Sequence, residues 1–373
     1  MKIVQVQPAD RGSKIKFLEC PQRIYSAYPN YTPPLEFNPL DVFNPAVNPL
    51  YEHGEAAFFL AEDDAGQAVG RIAAFRNDAY NQHNGLSAAQ FTLFETIHDQ
   101  THAFALLDAA VNWATTQGLN LLIGPKGFTP LDGIGLLIRG FEFSPALGLP
   151  YNPPYYQDLL EKFGFSTRSD ILSGFLPMNI NLPEKVHRAA ALAREKRGFE
   201  VVTFRNRGEV KRFVPRLMDL YNQALEGAPD NAPLSAKEAR MMSDQLVWFA
   251  DPRLIKVIMK DGQPAGFLLA YPDVTETVRK IGGRLLPFGW IRVLVAGRTT
   301  THLNINGAGV LEKYRGSGGT AVLYVELEKT LRTNRFTTAE VVQIGSDNER
   351  MLLELRGLGI DFCKSHRLYQ KAI

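Results

Sequence analysis

The residues best equipped for chemistry are Arg315, Gly316, Ser317, Gly318, Gly319 and Thr320, in the run Val310-Leu-Glu-Lys-Tyr-Arg-Gly-Ser-Gly-Gly-Thr-Ala-Val-Leu-Tyr324. Glycines at 316, 318 and 319 let backbone N–H groups converge without Cβ atoms in the way. The residues before them, Thr301 to Val310, alternate and are rich in β-branched types, which predicts a strand. From Ala321 the spacing of Val322, Leu323 and Leu327 predicts a helix. A glycine-lined turn at a helix N-terminus favours anions, because free N–H groups and the helix dipole both attract negative charge. Arg315 adds a fixed positive charge. The implied chemistry is the holding of a phosphate or pyrophosphate. The plain alternative is a glycine-rich turn that binds nothing.

Two nucleotide motifs do not fit. A P-loop needs lysine after its last glycine, and Gly319 is followed by Thr320-Ala321. The dinucleotide fingerprint G-x-G-x-x-G is missing from the stretch, and no acidic ribose ligand follows. Arg315-Gly-Ser-Gly318-Gly-Thr320 instead resembles the acyl-CoA pyrophosphate loop of the GNAT N-acyltransferase superfamily, R/Q-x-x-G-x-G/A. Arg315 and Gly318 match; Thr320 departs from the pattern. The resemblance continues in order through a helix, the strand Thr338 to Ile344, Asn348, an apolar helix, Leu358-Gly359-Ile360 and a last strand ending Tyr369-Gln-Lys371.

The rest of the chain must position this loop. Residues 1–7 read as a strand and Lys14 to Ser26 as a helix with Ile15, Leu18 and Ile24 inward. A proline- and asparagine-rich loop, Tyr28 to Leu35 extended through Phe43-Asn-Pro45 and Asn48-Pro49, reads as a surface wrap packed by Tyr28, Tyr31 and Phe37. Ala56–Glu62 and Ala68–Phe75 form a hairpin around Asp63-Asp-Ala-Gly66. Phe91–Ile97 is a strand, and His102–Gly118 is a helix with Ala105, Leu106, Ala109, Ala110 and Trp113 inward. Leu119–Ile123 is a buried strand, and Tyr155–Phe163 a helix closed by Gly164-Phe165. Ile180–Gly198 reads as a linking helix. Phe199–Arg205, the helices Gly208–Ala224 and Ser235–Phe249, and the hairpin Arg253–Lys260/Ala265–Tyr271 then repeat the earlier order. Ser235-Ala-Lys-Glu238 is a capping box.

The repeat predicts two copies of one α/β unit, and the resemblance implies that these are tandem GNAT-like domains, each a mixed, mostly antiparallel sheet flanked by helices. The expected limits are 1–180, a linking helix at 181–198, and 199–373. The first copy lacks the R-x-x-G-x-G/A loop between Phe94-Glu-Thr-Ile-His-Asp99 and its helix, so its own CoA site is expected to be lost. The resemblance implies acetyl-CoA or another acyl-CoA held by Leu311, Arg315, Gly316, Ser317, Gly318, Gly319, Thr320 and Asn348. It places the thioester beside the strand Asn304 to Leu311. The family's frequent proton donor is a tyrosine seven residues after the asparagine. That position is Leu355 here, and Leu160 in the first copy.

Candidate catalytic groups are therefore few: Asn304, aligned with His302 and Asn306 on one strand face, and Glu95 and Tyr155 from the first half, toward a shared cleft. Asp99 flanks the same position as Glu95, Tyr156 is offered beside Tyr155, and the prolines before Tyr155 also suit a simple helix entry. The resemblance implies a CoA-dependent N-acyltransferase, most simply an acetyltransferase, acting on a small-molecule or peptide amine. Alternatives are a non-catalytic acyl-CoA-binding protein and an aminoacyl-tRNA-dependent transferase.

The chain has 373 residues, 41 basic and 39 acidic, for a net charge of +2. That balance gives no support to a nucleic-acid track. The two cysteines, Cys20 and Cys363, offer neither a disulfide framework nor zinc spacing, and the histidines lack ligand spacing, so no metal is expected. With no signal-like leader and no apolar run long enough to span a bilayer, the expectation is a cytoplasmic protein. Residues 278–298 interleave apolar and aromatic residues with Arg284, Arg292 and Arg298. Their favoured reading is a helical pair packed on its own domain, and the other is a peripheral membrane contact or lid.

Overall fold

The computed structural model describes residues 1–130, 132–177, 182–224, 226, 230–249, 251–332 and 335–373, apart from the side chains at 177, 242, 243 and 245–249. The first half runs β1 (Lys2–Gln5), α1 (Arg11–Ile24), β2 (Gly54–Glu62), β3 (Ala68–Asn77), α2 (Asp78–Asn84), β4 (Ala88–Thr96), α3 (Gln100–Thr116), β5 (Leu121–Gly124), β6 (Leu136–Arg139), α4 (Tyr156–Lys162) and β7 (Ser166–Pro177). The linker holds α5 (Glu184–Arg197); positions 180 and 181 of the expected linking segment lie outside the described residues. The second half runs β8 (Phe199–Val202), α6 (Arg207–Ala224), α7 (Ala236–Phe249), β9 (Ile255–Lys260), β10 (Gln263–Pro272), α8 (Thr275–Lys280), α9 (Gly289–Thr299), β11 (His302–Val310), α10 (Gly319–Arg332), β12 (Thr338–Gly345), α11 (Glu349–Gly357) and β13 (Asp361–Ala372).

Local chemistry accounts for the boundaries. Asp10 caps α1 by accepting from the Gly12 and Ser13 N–H groups, satisfying donors that have no helical partner. The β2–β3 turn closes because Asp63 accepts from Ala65 and Gln67 while Gly66 sits at φ +74°. Asp261 and Gly262, both at positive φ, turn β9 into β10, as a tight hairpin requires. The capping box forms: Ser235 N–H donates to Glu238 at 2.7 Å, and Glu238 N–H to the Ser235 hydroxyl at 3.2 Å. Two predicted faces are rotated. On α1, Ile15 is exposed and Phe17, Cys20 and Ile24 are buried. On α3 the buried set is Ala103, Leu106, Leu107, Ala110 and Ala114. In the wrap, Tyr31 stacks on Tyr25 at 3.7 Å, but Phe37 points outward.

The sheets of the two halves join into one, ordered β1-β2-β3-β4-β5-β13-β7-β12-β11-β10-β9-β8. Pairing is antiparallel except for β4 with β5 and β11 with β12. The last strand of each half is exchanged: β13 lies between β5 and β7, and β7 between β13 and β12. Strand edges that would otherwise stay unpaired are thereby satisfied. One core packs α10 and α5 on the second half of the sheet, and another packs α3 and α4 on the first.

Candidate functional site

The two halves carry the same irregularity at the same place. Leu268 pairs with Ala308 and Ala270 with Ile305, so β11 holds one extra residue there, with Gly307 at φ +101°. Arg71 pairs with Glu95 and Ala73 with Thr92, so β4 bulges likewise, with Leu93 at φ +51°. Each bulge bends its strand away from its parallel neighbour. The β11–β12 ladder runs only from His302/Thr338 to Ile305/Val341, and the β4–β5 ladder only from Ala88/Leu121 to Gln90/Ile123.

The two gaps are filled differently. In the first half, aromatic rings close the space: Phe91 lies 5.4 Å from Phe165, and Phe94 5.3 Å from Tyr156. In the second half, a cavity of about 60 Å³ remains, walled by Leu268, Ile305, Ala308, Val341, Met351 and Leu355 among others. Glu328 also reaches it, but its carboxylate is engaged by Leu182 N–H, Arg332 and His187. The interior is thus lined almost wholly by apolar side chains.

The glycine loop lies at the end of β11. Leu311 N–H is tied to the Ala265 carbonyl at 2.9 Å, and a short turn over Glu312–Tyr314 leads to Gly316 and Gly318 at φ +76° and +91°. Open space surrounds the position a Gly316 Cβ would take, whereas one on Gly318 would stand 2.9 Å from Ala193 Cβ and 3.0 Å from the Ala189 carbonyl. Helix α5 therefore backs the loop and fixes its course. The first turn of α10 holds no acidic side chain, which leaves its N–H groups and dipole for an anion. Arg315 is exposed, and one guanidinium nitrogen reaches the Ala224 carbonyl at 3.4 Å. Gly316, Ser317, Gly318, Gly319 and Thr320 line the same turn. Asn348 caps α11 by accepting from Met351 N–H at 3.2 Å.

The corresponding helix start in the first half is already occupied. Asp99 accepts from the N–H groups of Thr101 at 2.8 Å and His102 at 3.1 Å. The His102 side chain, first among its partners, holds the Asp99 carboxyl below its ordinary value. A carboxylate that fills the helix N-terminus repels a phosphate from it. Glu95 is buried against Arg71 at 3.2 Å, its pKa raised by burial against the pull of that guanidinium. The Tyr155 hydroxyl donates to the Thr96 carbonyl at 2.7 Å. Neither Glu95 nor Tyr155 lines the second-half cavity.

No family model matches the sequence. Among curated proteins, the chain is 27% identical over 368 residues to Protein YghO of Escherichia coli K12, covering 96% of this chain and 92% of that one. It is 26% identical over 386 residues to the bacterial ceramide synthase of Caulobacter vibrioides, covering 99% and 98%. Among solved structures, a tandem GNAT protein from the clavulanic acid biosynthesis pathway superposes with a TM-score of 0.53 at 14% identity, covering 100% of this chain and 98% of that one. A GCN5-related N-acetyltransferase from Sphaerobacter thermophilus gives 0.50 at 14% identity, covering 99% and 95%. The chain has a tandem GNAT fold.

Within this GNAT frame, the sheet face opposite the α10 core carries a polar cluster that spacing did not reveal. Asn304 is directly across from Glu340 in the parallel ladder, and both are buried. Among the described residues Asn304 Nδ2 has no hydrogen-bond partner; the Glu340 carboxylate forms an ion pair with Lys364 Nζ at 2.5 Å. Lys364 also donates to the Ser144 carbonyl at 2.9 Å, which ties the first half's 140–150 loop over the second half's sheet. Burial pushes the Glu340 carboxyl up, partly offset by Lys364. His366 Nε2 donates to the Pro150 carbonyl at 3.0 Å, and burial lowers its pKa to about 4. The available signal was one acidic residue inside the otherwise apolar run Thr338-Ala-Glu-Val-Val. Of the His302–Asn304–Asn306 row, His302 is exposed and Asn304 buried.

Proposed function

We propose that this chain is an acyl-CoA-dependent N-acyltransferase whose donor site lies in the second half and whose acyl group is a long hydrocarbon chain. The observation that carries the reading is the apolar cavity in the β11–β12 gap, beside the helix α10 that the glycine loop leads into. Arg315 and the N–H groups of Gly316 to Thr320 would hold the pyrophosphate. The edge of β11 beyond Ile305, unpaired with β12, would align the thioester through its backbone. Leu355, at the position of the family's proton-donor tyrosine, adds apolar wall to the slot. When bound, the thioester supplies an electrophilic carbonyl; the amine forms the new C–N bond as the C–S bond breaks, and the thiolate carries off the amine's proton.

The name of the Caulobacter relative supports a long-chain amine as acceptor, since a ceramide is the amide of a fatty acid and a long-chain amino alcohol. The first half, 1–180, would shape the acceptor side through its 140–150 loop, joined by the 181–198 linker to the donor half, 199–373. A second reading has one observation in its favour: Leu355 and Leu160 remove the usual proton donor, as in a non-catalytic acyl-CoA-binding protein. The test is to incubate the full chain with acyl-CoAs of increasing length and a long-chain amino alcohol. Thiol release that needs both substrates, with the amide found by mass spectrometry, is expected. Binding without thiol release would leave the second reading, and no binding would overturn both.

A further inference from the structure

Residues 275–299 separate β10 from β11, where the first half has only the short α2. The segment is firmly seated at its base. Val274, Val278, Leu285 and Val293 form a small buried core with Leu35 and Leu147 from the first half. Glu36 N–H donates to the Gly283 carbonyl at 3.4 Å. Gly283, at φ +74°, lies so close to the wrap that a Cβ there would stand 2.2 Å from the Pro34 carbonyl. Gly289 is equally required, since its Cβ would meet the Arg284 carbonyl at 2.0 Å. The tip is thus a fixed shape held by both halves.

That shape buries one leucine and presents the next. Leu285 is 2% exposed, but Leu286 is 62% and Phe288 69% exposed. Trp290, Ile291 and Val295 continue the exposed apolar surface. Phe288, Ile291 and Val295 fall at helical spacing on one stripe of α9, opposite the buried Val293. Scattered exposed apolar residues are ordinary, but a contiguous cluster marks an interaction surface. Charge identifies the partner. Residues 275–299 hold five basic side chains, Arg279, Lys280, Arg284, Arg292 and Arg298, against one acidic, Glu276, in a chain whose overall net charge is only +2. All but Arg279 of the five are exposed. Among the described residues no helix is long and apolar enough to cross a membrane. An apolar stripe rimmed by cations on a short helix suits a segment that lies in the headgroup region of an anionic bilayer.

We infer that the α8–α9 tip is a peripheral membrane-docking surface, with Leu286, Phe288, Trp290, Ile291 and Val295 entering the interface and Arg284, Arg292 and Arg298 meeting anionic headgroups. The surface has a place in the fold that suits a lipid acceptor. Helix α9 leads within three residues into β11, the strand that carries the donor gap and the Asn304 face. Docking would set that strand beside the membrane, so that a long-chain amine could pass from the bilayer to the site. Only this last step rests on the acyl-transfer reading; the docking surface itself does not.

The test is co-sedimentation of the full chain with vesicles of phosphatidylcholine alone and of equimolar phosphatidylcholine and phosphatidylglycerol, without any CoA ester. The mixed vesicles are expected to bind it more tightly. Leu286→Asp with Phe288→Asp lowers that affinity by at least about tenfold, with an unchanged melting curve because both side chains are exposed. Arg284→Glu with Arg292→Glu removes the preference for the anionic vesicles. The inference is overturned if the wild-type chain stays in solution with both vesicle types. It is also overturned if the Asp variant binds as well as wild type, or if that variant instead breaks up a dimer, which would make the patch a contact between copies. Acyl transfer to an acceptor in detergent micelles separates the two claims: the Asp variant keeps it while losing transfer to vesicle-borne acceptor. Vesicle binding without any transfer would refute only the catalytic reading.

Discussion

Filling the β11–β12 cavity should stabilise the protein and blunt its preference for long acyl chains. Ala308 lies on the bulged part of β11 and lines the cavity. Replacing it with valine adds two carbons at a strand position that suits a β-branched residue. An empty volume of about 60 Å³ at about 24 cal/mol per Å³ sets a ceiling of about 1.4 kcal/mol on the gain. With partial filling, about 1 kcal/mol is expected, a rise in melting temperature of about 1–2 °C for a chain of this size. A long acyl chain would lose the space of about two methylenes, worth about 0.8 kcal/mol each, or about fifteenfold in affinity. Acetyl-CoA, which does not reach that depth, would keep its affinity. Calorimetric titration with acetyl-CoA and a long-chain acyl-CoA, beside a melting curve, reads all three quantities. A fall in melting temperature with an unchanged chain-length preference would refute the reasoning, because the cavity would then be a packing defect already relaxed.

Other consequences follow from single residues. Gly318→Ala and Gly316→Ala both place a side chain at positive φ, at a backbone cost of about 1–2 kcal/mol each; Gly318→Ala also meets Ala193 and the Ala189 carbonyl while Gly316→Ala has open space, so Gly318→Ala should cost more and weaken donor binding, and equal melting temperatures for the two would contradict the packing of α5 on the loop. Lys364→Met leaves Glu340 buried without its partner and should cost about 3–5 kcal/mol, most of it recovered when Glu340→Leu is added; a denaturant series in which the double variant is no better than the single one would count against the pair. Because His366 has a folded pKa of about 4 against an ordinary 6.5, the unfolded chain takes up its proton first on acidification. Stability is therefore lost as pH falls from 6.5 to 4, by about 3 kcal/mol from this group, and His366→Gln should remove that part of the slope; parallel wild-type and variant profiles would show that the ring is not buried neutral.

Much of this fold was legible because it rests on local chemistry. The Asp63–Gly66 and Asp261-Gly262 turns, the Ser235–Glu238 box and the glycine loop each declare themselves within a few residues. The exchange of β7 and β13 did not, because both strands have the same apolar pattern whichever half they join, and pairing partners far apart in sequence leave no local trace. The face of α1 was misread because Ile15 is apolar yet exposed, while Ser13 and Cys20 are small and buried. For the site, the glycine loop was visible but the aromatic filling of the first-half gap was not, since Phe91, Phe94 and Phe165 look like any core residues. The Glu340–Lys364 pair joins residues on two strands with β7 between them, and the Asp99 cap looked like a cleft carboxylate until its two N–H partners were seen.

The most direct measurement is calorimetric titration of the full chain with acetyl-CoA and with long-chain acyl-CoAs, repeated on Arg315→Ala. Saturable binding that tightens with chain length is expected, and it should be lost in the variant without a change in melting temperature, because Arg315 is exposed. Absence of binding to every CoA ester, or equal binding by the variant, would contradict the assignment of the glycine loop and the cavity beyond it as the donor site.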